Sequence, residues 1–291
     1  MLSYGSAKRF NIKRVSTGSI MLDKAIGGGI PYGRFSLFYG SPMSGKTTIA
    51  LSTIANAQKE GAICAYLDTE KTYDLNWAAK LGIDTDKLLV SNIAAGEPVV
   101  DTLADLVEKR IDLVVVDSIA AMCPKEFLMK EAADVKVAPL AKLINEMMSK
   151  VNALNSKTAV IFINQPREAI GKLFGSTLSL PGGKSIGHYS SVNVKFWVAK
   201  RIKDNKEDVI AREVHCEVEK NKLAPPFRSA QFNLYFDGRI DNNEELLRLA
   251  IEQGVVKKNG SWYAYKEEKI QGDTSFIEEC NGEWRQEVSI V

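Results

Sequence analysis

Hydrophobic residues in this chain come first as short unbroken runs. Phe35-Ser36-Leu37-Phe38-Tyr39, Ala62-Ile63-Cys64-Ala65-Tyr66-Leu67, Ile111-Asp112-Leu113-Val114-Val115-Val116 and Thr158-Ala159-Val160-Ile161-Phe162-Ile163 are apolar with little alternation. Strands buried on both faces of a parallel sheet have that pattern. After the first run the spacing lengthens, and Ile49, Ala50, Leu51, Ile54 and Ala55 fall on one face of a helix. An earlier helix ends at Gly27-Gly28-Gly29, and a later strand carries Val214, Cys216 and Val218 in alternation. Beyond Asp237-Gly238 the period changes again. Glu244 to Gln253 reads as an amphipathic helix, followed by Val255-Val256, an Asn259-Gly260 turn and an aromatic strand from Trp262 to Tyr265. The pattern predicts an α/β protein with a mostly parallel central sheet flanked by helices over residues 15–240. A short arm precedes it over 1–14, and a small C-terminal α/β domain follows over 241–291. No internal repeat or low-complexity segment interrupts this plan.

The polar positions with chemical meaning fall at the ends of the apolar runs. Gly40-Ser41-Pro42-Met43-Ser44-Gly45-Lys46-Thr47-Thr48 fits the G-x-x-x-x-G-K-[ST] phosphate loop between a strand and a helix. Its glycines let backbone N–H groups aim at phosphates, and the helix that follows adds the positive end of its dipole. The expected ligands are a nucleoside triphosphate and Mg2+, with Lys46 on the terminal phosphates and Thr47 on the metal. Asp117 closes the third run and either holds Mg2+ through a water or caps the next helix. Glu70, beside the loop but off the metal, is the candidate base that orients water against the terminal phosphate. Gln165 follows the fourth run, where a neutral amide can report whether that phosphate is present.

These pieces resemble the RecA-type DNA strand-exchange proteins, from Val15-Ser16-Thr17-Gly18-Ser19 to Trp262-Tyr263-Ala264-Tyr265-Lys266. The specific matches are the phosphate loop, Leu67-Asp68-Thr69-Glu70, Ala79-Lys80-Leu81-Gly82, Val116-Asp117-Ser118, Phe162-Ile163-Asn164-Gln165 and Lys220-Asn221-Lys222-Leu223-Ala224-Pro225-Pro226-Phe227. The lysine pair and the aromatic tail point to the bacterial type, as a divergent or phage-borne member. The resemblance implies a RecA-like ATPase core. It makes Lys46 and Thr47 the phosphate and Mg2+ ligands, Glu70 the catalytic carboxylate, Asp117 a metal-associated residue and Gln165 the terminal-phosphate sensor. Trp77 falls where the family stacks an aromatic on adenine, with Asp74 near the exocyclic amine; a core or interface anchor is the alternative for Trp77.

The same resemblance implies two DNA-binding loops, expected to be poor in regular structure. The second runs from Pro166 to Gly183, with Ile170 and Phe174 as base wedges, Arg167, Gly182 and Gly183 on phosphates, and Gly171 and Lys172 beside them. In the first, spanning roughly Pro124 to Ala138, Lys130 and Lys136 are the candidates; a solvated surface accounts for them equally. Lys220 and Lys222 point to one strand face. In the family such lysines reach a neighbour's terminal phosphate, while edge-strand lysines that discourage aggregation are the other reading.

Composition changes little. The chain has 291 residues, 45% hydrophobic and 25% charged, with a formal net charge of +2, too small to indicate nucleic acid without local clustering. Cys64, Cys123, Cys216 and Cys280 lack metal or redox spacing and are expected as reduced thiols. A basic N-terminus without an apolar stretch, and no run long enough to span a membrane, lead to the expectation of a cytoplasmic protein. Three departures from the family bear on assembly: the residues before Val15 are too few for the usual docking helix, His188 stands where an interface aromatic is usual, and no acidic tail ends the chain. The expected function is a homologous recombinase that forms a helical filament on single-stranded DNA with ATP at the subunit interface. It pairs that strand with homologous double-stranded DNA. A RecA-like mediator switched by ATP without strand exchange, and a ring-shaped helicase motor, are the alternatives.

Overall fold

The computed structural model describes residues 12–93, 96–124, 138–168, 178–204, 206–280 and 282–289. Its centre is an eight-stranded sheet in the order Ser229–Tyr235, Val209–Asn221, Val192–Lys203, Phe35–Gly40, Ala159–Asn164, Leu113–Asp117, Cys64–Asp68, Leu88–Ser91. From Val192–Lys203 to Leu88–Ser91 every pairing is parallel. The two strands at the other edge continue the sheet antiparallel.

The four apolar runs are all central strands, and their period of two divides them between two cores. Phe38, Tyr66, Val115, Ile161 and Ile163 face the side covered by helices Ile20–Ile26, Lys46–Lys59 and Asn242–Glu252. Phe35, Leu37, Ala65, Leu67, Val114, Val116, Val160 and Phe162 face helices Gly96–Glu108 and Ala138–Leu154. Burial on both faces explains why these strands show no polar alternation.

After Asp241 come the helix Asn242–Glu252, a three-stranded antiparallel sheet over Lys257–Asn259, Trp262–Tyr265 and Glu268–Gln271, and helices Asp273–Glu279 and Trp284–Glu287. Leu247, Leu249, Tyr263, Phe276 and Trp284 belong to the same apolar cluster as Leu22, Ile26 and Phe38. The small C-terminal part is therefore packed on the large core. Buried Glu245 reinforces this attachment, accepting from Ser19 Oγ at 2.5 Å and Ile20 N at 2.7 Å.

Of the expected loop Pro166–Gly183, residues 169–177 lie outside the described residues, and the described ends pair. Arg167–Glu168 and Leu178–Ser179 form a short antiparallel ladder. Pairing of strands so close in sequence costs little loop-closure entropy.

Candidate nucleotide-binding and catalytic site

In a parallel sheet the carboxyl ends of neighbouring strands lie side by side, and the candidate residues sit on that edge. Tyr39 is in register with Asn164, and Asp68 with Asp117. The phosphate loop leaves the edge at Gly40, whose φ is 152° and where a Cβ would lie 2.0 Å from the Phe196 carbonyl oxygen. No larger residue fits there. At Gly45, with φ 94°, a Cβ would come within 2.9 Å of Leu234 Cδ2. Ser41, Pro42 and Met43 are exposed between them, while Ser44 is buried.

The helix Lys46–Lys59 begins at Gly45 with no side-chain cap and no acidic residue in its first turn. Its leading N–H groups and positive dipole end are thus left for an anion. Lys46 is buried, and Nζ donates to Gly40 O at 3.0 Å, Ser41 O at 2.7 Å and Ser44 Oγ at 3.3 Å. Burial lowers its pKa, and the charges of Asp117 and Glu70 pull it back up. A buried ammonium held by neutral oxygens gains strongly from a phosphate. Thr48 follows in the first turn, half-buried.

Thr47 Oγ1 donates to Asp117 Oδ2 at 2.7 Å, and Tyr66 OH to the same oxygen at 2.9 Å. Burial pushes the Asp117 carboxyl up to about 6, against these two hydrogen bonds, which pull it down. Asp68 Oδ2 accepts from Tyr73 N at 2.8 Å, whereas Asp68 Oδ1 is buried with no hydrogen-bond partner. Thr47, Asp117 and this orphaned oxygen are hard oxygen donors of the kind Mg2+ prefers. Among the described residues no group of three or more His, Cys, Asp or Glu side chains is placed to hold a metal. The ion would thus depend on oxygens supplied by the nucleotide.

Glu70 Oε1 accepts from Ser118 Oγ at 2.5 Å and from Gln165 Nε2 at 3.1 Å. The carboxylate and the amide, 95 positions apart in sequence, are thus directly bonded. Asn164 fixes the backbone here, taking Gln165 N on Oδ1 at 2.9 Å and donating from Nδ2 to Pro181 O at 2.9 Å.

Of the remaining candidates, Lys220 and Lys222 lie toward the opposite, amino-terminal edge of the parallel strands, Lys220 being in register with Asn193 and Asn193 with Leu37. Asp74 Oδ1 accepts from Trp77 N at 2.6 Å and caps helix Leu75–Lys80. Trp77 is half-buried on the core, its Cη2 3.2 Å from where a Cβ on Gly238 would stand, with Lys80 Nζ 5.8 Å from the ring centre. Lys220 Nζ donates to Gly187 O at 2.6 Å and His188 O at 3.0 Å, and Lys222 Nζ to His188 O at 3.3 Å. Both ammonium groups therefore sit on the last carbonyls of helix Ser185–Tyr189, where cations are favoured. Arg167 is exposed and donates from Nη2 to Ala120 O at 2.9 Å.

Gly182, expected at phosphate, is buried, and a Cβ there would come within 3.0 Å of Ile144 Cγ1 and 3.3 Å of Ile119 Cγ2. The structure gives it a packing role, and the Gly183 N–H is engaged with Leu180 O at 3.3 Å. Lys130, Lys136, Ile170, Gly171, Lys172 and Phe174 lie outside the described residues.

Tyr66, Ser118 and Asp68 drew no role from the sequence. Ser118 beside Asp117 and Asp68 beside Glu70 carry only adjacency as a signal, and Tyr66 reads as core because its ring is core.

Family models match nearly the whole chain: that of the RecA N-terminal domain over residues 1–241 and that of the RecA C-terminal domain over 244–277. Protein RecA of Mycoplasma mycoides subsp. mycoides SC is 40% identical over 284 residues, which cover 96% of this chain and 82% of that protein. Protein RecA of Pseudomonas putida is 40% identical over 274 residues, covering 93% and 77%. That of Frankia casuarinae is 39% identical over 275 residues, covering 93% and 79%.

Proposed function

The chain belongs to the RecA family of DNA-dependent recombination ATPases, and from that premise we propose a filament-forming recombinase. It assembles on single-stranded DNA with ATP between neighbouring copies, pairs that strand with homologous duplex, and exchanges strands. The observation that supports this most is the bond from Gln165 Nε2 to Glu70 Oε1 at 3.1 Å, one residue before the Pro166–Arg167 segment. It joins a candidate hydrolytic carboxylate to the root of a candidate DNA loop.

The residues divide the work by chemistry. Loop N–H groups and Lys46 hold the phosphates. Glu70 orients a water for in-line attack and accepts its proton as the terminal phosphate departs. A terminal phosphate that recruits the Gln165 amide draws it off Glu70, so ligand state reaches both the carboxylate and the segment beginning at Pro166. Thr47 and Asp117, with Asp68 Oδ1 close in register, would hold Mg2+, which would neutralise charge developing on the phosphate oxygens. Lys220 and Lys222 act on a neighbour's phosphate. Trp77 offers its indole face to the base, and Arg167 offers its guanidinium to DNA phosphate. No helix among the described residues is long and apolar enough to cross a membrane.

The test separates chemistry from binding. Glu70→Gln should lower DNA-stimulated ATP turnover by at least 100-fold, by the usual worth of general-base catalysis (about 10²–10⁴). Affinity for nucleotide and for single-stranded DNA should be retained. Lys46→Ala should lose nucleotide affinity itself. Parental turnover in the Glu70→Gln protein would remove Glu70 from this role.

A further inference from the structure

The phosphate loop has a second cation close to it, contributed by neither the strand ends nor the helix. Arg212 lies on strand Val209–Asn221, in register with Leu234 of the adjoining strand. Leu234 and Val214 are the side chains that a Cβ on Gly45 would meet, so this hairpin lies directly under the loop. From it the Arg212 guanidinium reaches up to the loop, and Nη1 donates to the Met43 carbonyl oxygen. Its carbon stands 5.4 Å from the centre of the Phe236 ring, and Phe236 is tied to the same hairpin by its N–H on Ile210 O at 2.9 Å. Arg212 Nε is buried without a partner, and among the described residues no carboxylate pairs with this guanidinium. Burial lowers its pKa, and no neighbouring charge acts to restore it.

A half-buried arginine with no carboxylate is costly, so its one strong contact calls for an explanation. That contact is made to a strained residue. Met43 has φ 60°, a left-handed backbone that only glycine adopts freely. The Met43–Ser44 peptide is not cis, and a trans peptide is planar, so its carbonyl and the Ser44 N–H point in opposite directions. A guanidinium holding the carbonyl from the hairpin side therefore turns the Ser44 N–H away from the hairpin, into the loop.

We propose that Arg212 is a positioning residue of the nucleotide site: by holding the Met43 carbonyl it fixes the Ser44 N–H in the direction needed to bind phosphate. This rests on the reading that the loop binds a nucleotide. It adds a residue outside the loop motif that sets nucleotide affinity before any ligand arrives. Because the N–H groups of such a loop cradle phosphates common to ATP and ADP, the effect is uniform binding rather than transition-state binding.

Titrate ADP and a slowly hydrolysed ATP analogue against the full-length chain, with thermal unfolding as the check on folding. The parent's ADP affinity and its loss in Lys46→Ala test the nucleotide reading separately. Arg212→Gln should weaken both nucleotides by roughly tenfold, the loss of one charge-assisted hydrogen bond, and should raise KM with kcat little changed. Arg212→Lys keeps a charged donor and should recover most of the affinity. Met43→Gly, which removes the backbone strain, should recover part of it in the Arg212→Gln background. Loss confined to the ATP analogue would mean that the guanidinium touches the terminal phosphate, and would overturn positioning through Met43. Unchanged affinity in a folded Arg212→Gln protein, or no recovery by either rescue, would overturn it equally.

Discussion

Replacing Glu245 by Gln should make the protein more stable above neutral pH and flatten its acid–base profile. Glu245 has 1% of its surface exposed and links helix Asn242–Glu252 to the start of helix Ile20–Ile26. Desolvation raises its carboxyl from the ordinary 4.5 to about 7, against hydrogen bonds from Ser19 and the backbone of Ile20 and Met21, while the charge of Asp23 raises it further. Asp23 is itself raised by burial, against hydrogen bonds from Ser16 and Thr17. A folded pKa above the unfolded one means that the folded chain holds the proton more tightly. The stabilisation is fully present below about pH 4.5 and is lost as pH rises through about 7. A displacement of roughly 2.5 units at about 1.36 kcal/mol each amounts to about 3 kcal/mol in all, most of it between about pH 5 and pH 8.

A glutamine keeps an oxygen for the Ile20 N–H and carries no charge to desolvate. In urea unfolding across that pH range, the stability of Glu245→Gln relative to the parent should therefore rise by about 2 to 3 kcal/mol toward the alkaline end. Asp23 remains in both proteins, so its own titration largely cancels in the difference. A difference between the two proteins that stays constant with pH would refute the reasoning, because it would mean that Glu245 is ionised in the folded chain throughout.

Lys220→Ala with Lys222→Ala should bind ATP yet gain no hydrolysis on DNA. Mixing that double variant with Glu70→Gln should restore part of the activity, since one kind of head-to-tail junction joins an intact carboxylate to an intact lysine pair; no return at any ratio, with both proteins co-assembling, would count against action across an interface. Arg167→Ala should weaken single-strand binding and reduce its logarithmic salt dependence by about one unit; an unchanged slope would mean that Arg167 does not touch phosphate. Tyr66→Phe, which removes one of two donors from Asp117 and leaves the ring in the core, should cost about 1 kcal/mol of stability and lower Mg2+-dependent nucleotide binding more than Mg2+-free binding; equal losses would separate Tyr66 from the metal-associated carboxylate.

Much of the candidate site was legible because its groups sit at strand ends. Central parallel strands are unbroken apolar runs, so Gly40, Asp117 and Asn164 announce themselves as the places where such a run stops. What the sequence hides is register and long-range pairing. Tyr66 donates to Asp117 across 51 positions, Gln165 to Glu70 across 95, and Ser19 to Glu245 across 226. None of these follows from local periodicity. Arg212 is the clearest case: it looks like an ordinary charged strand residue, and only the antiparallel hairpin carrying it under Met43 gives it chemistry. Gly182, a glycine in a predicted binding loop, has in addition a packing constraint that the sequence does not show, since a Cβ there would meet Ile144 and Ile119.

The groups assigned to act on ATP already have partners within the chain, and this bears on when they can act. The Lys220 and Lys222 ammonium groups are held by the carbonyls of Gly187 and His188. A hydrogen bond between a charged group and a neutral one contributes roughly 1.5–3 kcal/mol. Attraction between unit charges about 4 Å apart is about 1 kcal/mol in water and about 4 kcal/mol at the effective dielectric of a protein surface. In open solvent the carbonyls win, and the lysines stay on their helix. A phosphate would displace them, on the proposed reading, where a neighbouring surface excludes water. On the proposed reading, a lysine pair with such partners couples hydrolysis to assembly without any further switch, because the interface that brings the phosphate also removes the water that would screen it.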